Sequence, residues 1–256
     1  MGTSADHKGS KPSTAPLIAP HADLNPGAPQ PTPDPNRFRR FRTAMRKYSS
    51  TGNSDARERA LGHYSRDVRG GGTLGARNFG AVSRAGAAAI AGLSALANGG
   101  TGVAATGHDL TAALGKSIDI AAQIIADAIA PSSESRDNIR VAMERAICAA
   151  LEGEHSLEQS QITDDFLASV LLGYLTEAVF LDVWREAGDS TDGAELSDTA
   201  IHREDELREV CSVAVDAELS KLGVDELSKT TTTDLVQIQQ NTVGAVLTYW
   251  EGLADD

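Results

Sequence analysis

The stretch TLGARNFGAVSRAGAAAIAGLSALA, residues 73–97, is the most informative about the fold class of this 256-residue chain. Six of its residues recur at intervals of three or four, which is the period of an α-helix buried along one face. They are Phe79, Val82, Gly86, Ile90, Leu93 and Ala97. Ala85, Ala89 and Gly92 add small side chains, beside which a neighbouring backbone can approach closely. The stretch therefore predicts a helix packed tightly against its neighbours.

The same helical spacing recurs on both sides of this stretch. It is seen in seven further segments, at residues 37–47, 54–69, 109–130, 133–151, 163–187, 198–222 and 235–250. No alternation with a period of two residues extends beyond four residues. Aromatic residues make up only 4% of the chain, whereas the strands of β-sandwiches are rich in aromatic and β-branched residues. We therefore predict an all-α helical globule, and its length favours two subdomains.

Residues 1–36 have a different composition from the rest of the chain. Eight of the nine prolines lie there, together with many Ser and Ala residues and almost no large apolar side chains. Such a segment cannot bury enough surface to offset the entropy lost on ordering. We therefore predict a disordered Pro-rich tail over residues 1–36.

Charge is divided unevenly along the chain. Residues 37–84 carry a net charge of +9 and residues 85–256 a net charge of −21, within a total of −13. This asymmetry favours either an acidic or nucleic-acid partner for the basic part, or docking of the two parts on each other. Beyond the tail we predict a basic, Gly/Ala-rich helical region at 37–131 and an acidic helical region at 132–256.

The basic part opens with interleaved arginines and phenylalanines. The candidate basic surface consists of Arg37, Arg39, Arg40, Arg42 and Arg46. Cations alternating with aromatic rings suit phosphate neutralisation combined with stacking on bases. The same spacing also suits a helix that buries Phe38 and Phe41 while its arginines pair with the acidic half. Nucleic-acid binding by residues 37–84 and internal docking therefore both remain open.

Residues that carry catalysis or bind metal ions are scattered along the chain. None of the six histidines lies at a metal-binding spacing from another. The two cysteines, Cys148 and Cys211, are too few for a disulfide framework, and both fall on apolar helical positions. No nucleophile elbow or deaminase signature is present. We predict a protein without enzymatic activity, with no metal and no cofactor.

Two features bear on membranes. Residues 1–36 contain no apolar run that would form a secretory signal, so we expect a cytoplasmic protein. Residues 85–107 carry no charged side chain and are long enough for a membrane span. However, they contain only four large apolar residues and are interrupted by Asn98-Gly99-Gly100. We predict a helix followed by a Gly-rich loop there, and no membrane partner; a membrane-active effector is the minor alternative.

The chain begins Met1-Gly2-Thr3-Ser4. An initiator Met before Gly is normally removed, which leaves a free glycine amine. N-myristoylation of that amine requires Ser or Thr at position six, where this chain has Asp6. The remaining alternatives for residues 1–36 are an inert leader and a different modification of the Gly2 amine.

Five features follow one another in the first hundred residues: MGTS at residues 1–4, the Pro-rich leader, the Arg-Phe block at 37–42, ALGHY at 60–64 and the Gly/Arg-rich helix that follows. In this order they resemble the QatB component of the four-gene Qat anti-phage defence systems. The resemblance covers mainly residues 1–100. The C-terminal half contributes a generic acidic helical body.

The resemblance implies a function for the chain's N-terminus. In the family, QatB is encoded with an ATPase, a QueC-like enzyme and a TatD-like nuclease, and the QueC-like (QatC-type) enzyme attaches a deazaguanine group to the N-terminal glycine of QatB. Here the acceptor would be Gly2 after removal of Met1, and the enzyme would recognise Thr3 and Ser4 beside it. The helical body would bind that partner.

Overall fold

The computed structural model describes residues 15–23, 25–102, 107–131, 135–190, 198–222 and 226–254. This part of the chain contains nine α-helices and no strand, apart from one isolated bridge between Ser117 and Ser156, so the predicted all-α class is confirmed. The helices are α1 Arg37–Thr51, α2 Ser54–His63, α3 Gly72–Asn78, α4 Gly80–Ala97, α5 Ile118–Ile129, α6 Arg136–Ala150, α7 Asp164–Ala187, α8 Asp198–Ser220 and α9 Thr232–Gly252. A π-helical turn, Tyr64–Val68, continues α2.

The chain folds into two units, each built from separate segments. The first unit comprises Met1–Phe79, Val179–Cys211 and Val243–Asp256, and the second comprises Gly80–Ala178 and Ser212–Thr242. Helices α7, α8 and α9 contribute residues to both units. The predicted regions 37–131 and 132–256 are defined by charge, and they stay predictions beside this division into units. Each unit combines segments from both regions because helices distant in sequence pack together.

Aromatic side chains form the centre of the first unit. The ring of Tyr64 lies 5.7 Å from that of Phe41 and 6.4 Å from that of Trp250, measured between centroids. All three side chains are fully buried. They join α1, the end of α2 and α9, and this packing fixes which face of α1 points outward.

Small residues of α4 allow close packing in the second unit. A Cβ atom added at Gly92 would lie 2.7 Å from Leu110 Cδ1 and 3.2 Å from the Gly102 carbonyl oxygen. One added at Gly86 would lie 2.2 Å from Gln239 Oε1. The predicted close approach of a neighbouring backbone is therefore confirmed at Gly92.

Two of the predicted helices are interrupted by non-helical backbone. The helix predicted over residues 73–97 is two helices, because the backbone leaves helical geometry at Phe79, with φ −90° and ψ 12°. The helix predicted over residues 109–130 begins only at Ile118. Gly115, at φ +70°, adopts a left-handed conformation that an α-helix cannot contain. Helical periodicity alone does not reveal such local breaks.

Residues 15–23 of the predicted tail pack on the rest of the first unit. Leu17 and Ile18 are 6% and 0% exposed, and Arg77 Nη2 lies 2.8 Å from Asp23 Oδ2. Residues 15–23 of the predicted disordered tail are therefore anchored, whereas residues 25–36 are mostly exposed and residues 1–14 lie outside the described residues. Leu17 and Ile18 bury apolar surface, and the ion pair between Arg77 and Asp23 adds to the anchoring. The Pro-rich composition of the segment does not indicate these contacts.

Helices α4 and α7 are long and apolar enough to cross a membrane, with mean hydropathies of 1.3 and 1.7 over their most apolar windows. In both windows 72% of the residues are buried within the protein. Packing in the protein interior therefore accounts for their apolar composition. Length and hydropathy of this kind occur equally in core helices.

Candidate functional site

A groove of about 510 Å³ lies between α1 and α2 in the first unit. We call it the basic groove. Its lining consists of Arg39, Arg40, Thr43, Ala44, Lys47, Ala56, Arg59 and His63. None of these lining residues is acidic, although the chain as a whole contains 36 Asp and Glu residues.

Helical spacing on both helices builds the groove. On α1, residues 40, 44 and 47 follow one another at intervals of four and three, and on α2 residues 56, 59 and 63 follow at intervals of three and four. The side chains of Ala44 and Ala56 are short and leave space between the two helices. The opposite face of α1 carries Phe41, Met45 and Tyr48, which are fully buried. The amphipathic pattern predicted for this helix is therefore confirmed.

Four cationic side chains of the groove are exposed and unpaired. In the part of the chain that the structure describes, no hydrogen bond or ion pair engages the side chains of Arg39, Arg40, Lys47 and Arg59. Like charges gathered in one concave surface produce a positive potential that attracts anions. Holding the fold together does not require this arrangement, because none of the four has an internal partner.

His63 lies at the inner edge of the groove. Burial lowers the pKa of His63 below its ordinary value; the Asp67 carboxylate, 3.1 Å from Nδ1, opposes this shift, and Arg66 and Arg40 reinforce it. Burial and the two arginines thus favour the neutral imidazole. The charge of the groove comes from its three arginines and one lysine.

The five arginines of the predicted basic surface separate into two groups. Arg39, Arg40 and Arg46 are exposed on α1, and the first two line the groove. Arg37 is only 3% exposed, so it does not belong to the surface. Arg42 donates from Nε to the carbonyl oxygen of Glu186 at 3.1 Å, and its guanidinium lies over the Phe38 ring. Internal docking thus applies to part of the block, while the rest faces solvent.

Three residues of the groove are not among the predicted site residues: Lys47, Arg59 and His63. Each carries a signal in the sequence, because each continues a helical stripe that contains an arginine or an alanine of the groove. The sequence does not show that α1 packs against α2. Without that contact, two basic stripes on separate helices do not identify one site.

A buried charged cluster lies elsewhere in the first unit. Arg69 donates from Nη2 to Asp182 and, at 3.0 Å, to Glu186 Oε1. The Tyr64 hydroxyl donates to Asp182 and accepts from Arg69 Nε at 3.2 Å. Burial and then the Asp182 carboxylate hold the pKa of Tyr64 well above its ordinary value. The cluster joins the end of α2 to α7, and charges buried in this way are tolerated only when paired.

Gly2, Thr3 and Ser4, the predicted acceptor and its neighbours, lie outside the described residues. Within the described ranges, no group of three or more His, Cys, Asp or Glu side chains is placed to hold a metal ion. The site that the structure defines is thus an anion-attracting groove on an all-helical protein.

Comparison with known proteins identifies the family. The sequence model of the family described as "Qat anti-phage system associated protein QatB" matches residues 70–249. The match spans more than half of the chain, and the chain therefore belongs to the QatB family, a component of an anti-phage defence system. No curated protein and no solved structure matches the chain.

The matched range differs from residues 1–100, which carry most of the sequence resemblance. It takes in the helical body from residue 70 onward and leaves out residues 1–69. The C-terminal half is thus a family-specific body, rather than the generic one that its composition suggested. The basic groove, formed by residues 39–63, lies outside the match.

Proposed function

We propose that this QatB-family chain serves in anti-phage defence as a non-enzymatic substrate and scaffold. In this proposal Gly2, freed by removal of Met1, accepts a deazaguanine group from a QueC-like partner enzyme that reads Thr3 and Ser4. The helical body binds that partner in the cytoplasm and needs no cofactor. The ATPase and the TatD-like nuclease of the system are further partners. The observation that carries the proposal is family membership combined with the Met1-Gly2 start.

The burial of residues 17 and 18 sets an upper limit on the distance that the Gly2 amine can reach from the folded body. Because Leu17 and Ile18 are buried, the reach of the Gly2 amine is measured from Leu17. Fifteen residue steps span at most about 50 Å. A partner whose active site lies within that distance of the anchor can reach the amine while it holds the folded body.

Intact-mass measurement tests the proposal on the full chain expressed together with its neighbouring genes. We expect the wild-type protein to gain the mass of one deazaguanine adduct and Gly2→Pro, which lacks the primary amine, to gain none. Gly9→Pro makes the same residue change without altering the amine and should be modified like the wild type. Circular dichroism should show the same helix content in all three proteins. An unmodified Gly2 in the presence of an active QueC-like partner and its precursor would disprove the proposal.

Nucleic-acid binding by residues 37–84 is the alternative. The exposed cations of the basic groove support its electrostatic part. Stacking of bases on the aromatic rings is not supported, because Phe38 and Phe41 are only 7% and 0% exposed and cannot contact bases. The alternative is therefore reduced to contacts with phosphates.

A further inference from the structure

The basic groove is an exception within an acidic protein. The chain has a net charge of −13, yet the described residues that line the groove include four cations and no carboxylate. Two other arginines of the first unit have acidic partners: Arg69 pairs with Glu186 at 3.0 Å and Arg77 with Asp23 at 2.8 Å. The groove cations are exposed and have no such partner among the described residues. An anion from outside the chain would neutralise them.

The side-chain chemistry of the groove favours phosphate. Guanidinium groups bind phosphate oxygens through two parallel hydrogen bonds, and a lysine ammonium adds a mobile point charge. Arg39, Arg40 and Arg59 supply three such groups, and Lys47 supplies the fourth charge. A triphosphate carries on the order of four negative charges at neutral pH, which matches the four cations.

The size and lining of the groove favour a compact ligand. A volume of about 510 Å³ falls within the range of small-molecule sites. Single-stranded nucleic acid is held largely by stacking on aromatic rings, and no aromatic residue is among those that line the groove. We propose that the basic groove between α1 and α2 binds a compact polyphosphate, such as the triphosphate group of a nucleotide. This site is independent of the modification of Gly2.

Calorimetric titration of the full chain tests this site with three probes: inorganic triphosphate, ATP and a short single-stranded DNA. Inorganic triphosphate and ATP should each bind with a stoichiometry of one. Equal affinities would indicate that only the phosphates are contacted, and tighter binding of ATP would indicate that the nucleoside also enters the groove. Either result supports the proposal.

Matched charge removals localise the binding. Arg40→Gln and Arg59→Gln should each weaken triphosphate binding about tenfold, the loss expected for one charge-assisted contact. Arg46→Gln removes the same charge from an exposed position of α1 outside the groove and should change the affinity less than about twofold. Ala44→Leu keeps every charge but fills space between the helices, and it should also weaken binding. Circular dichroism checks that each variant is folded.

Three results would overturn the proposal. The first is that triphosphate does not bind at millimolar concentration. The second is that Arg46→Gln weakens binding as much as Arg40→Gln and Arg59→Gln, which would indicate general attraction to the basic helix. The third is that the DNA binds more tightly than triphosphate, which would assign the groove to nucleic acid. The wild-type comparison of the three probes remains decisive even if a variant does not fold.

Discussion

Tyr64 connects the aromatic centre of the first unit to its buried charges. Its ring lies against Trp250 and Phe41, and its hydroxyl sits between Asp182 and Arg69. The side chain is fully buried. A hydroxyl in this position reduces the cost of burying the neighbouring charges, because it donates to the carboxylate and accepts from the guanidinium.

Tyr64→Phe should lower the free energy of unfolding by about 1–3 kcal/mol, because it leaves two buried charged groups short of one hydrogen bond each. Urea denaturation followed by circular dichroism measures the change. Tyr249→Phe removes the same hydroxyl from a side chain that is 62% exposed and should change the stability by less than about 0.5 kcal/mol. Equal effects of the two substitutions would show that the Tyr64 hydroxyl does not support the cluster.

At the scale of helices, the close packing of α4 depends on residues without side chains. Gly86 faces Gln239 and Tyr174, which are both fully buried. The Gln239 amide donates to the Ser83 carbonyl at 3.1 Å and to the Leu235 carbonyl at 3.0 Å. Its side chain is therefore held in place and cannot move aside without losing both bonds.

Gly86→Ala should destabilise the protein by about 1–3 kcal/mol, although alanine has the higher helix propensity, because the new Cβ would lie 2.6 Å from Tyr174 Cε1. Gly252→Ala is the matched control. It lies in α9, and a Cβ there meets no atom within 4 Å, so its stability should be unchanged or slightly raised. Thermal unfolding of both variants measures the difference. A Gly86→Ala protein as stable as the wild type would mean that the helices around α4 can separate at little cost.

At the scale of the whole molecule, the anchored N-terminal segment sets the distance available to Gly2. This point rests on the proposed function. Deletion of residues 6–14 keeps Gly2-Thr3-Ser4 but shortens the span to Leu17 from about 50 Å to about 20 Å. We expect the yield of modified protein, measured by intact mass, to fall sharply while the stability of the body stays the same.

A length-matched replacement serves as the control for this deletion. Substitution of the same nine residues by a Gly/Ser sequence keeps the span and should preserve modification, since only length is required there. Full modification of the deletion variant would show that the reach from Leu17 does not limit the reaction. Loss of modification in the replacement would instead show that the partner reads residues beyond Ser4.

Local sequence patterns are sufficient to predict the helical class, the amphipathic character of α1 and the positions of most helices. These properties follow from the spacing of apolar residues within one segment, and that spacing is read directly along the chain. The motifs of the first hundred residues also indicated the QatB family, and the model of that family matches the body from residue 70 onward.

Which basic residues face solvent, and which face the protein interior, depends on packing between helices. Arg37 and Arg40 belong to the same basic block, yet one is buried and the other lines the groove. The pairing of Arg69 with Glu186 and the burial of Leu17 and Ile18 were equally absent from the local pattern. Each of these outcomes depends on contacts between segments far apart in sequence. The spacing of apolar residues indicates which face of a helix is buried, but packing in three dimensions determines which element covers that face.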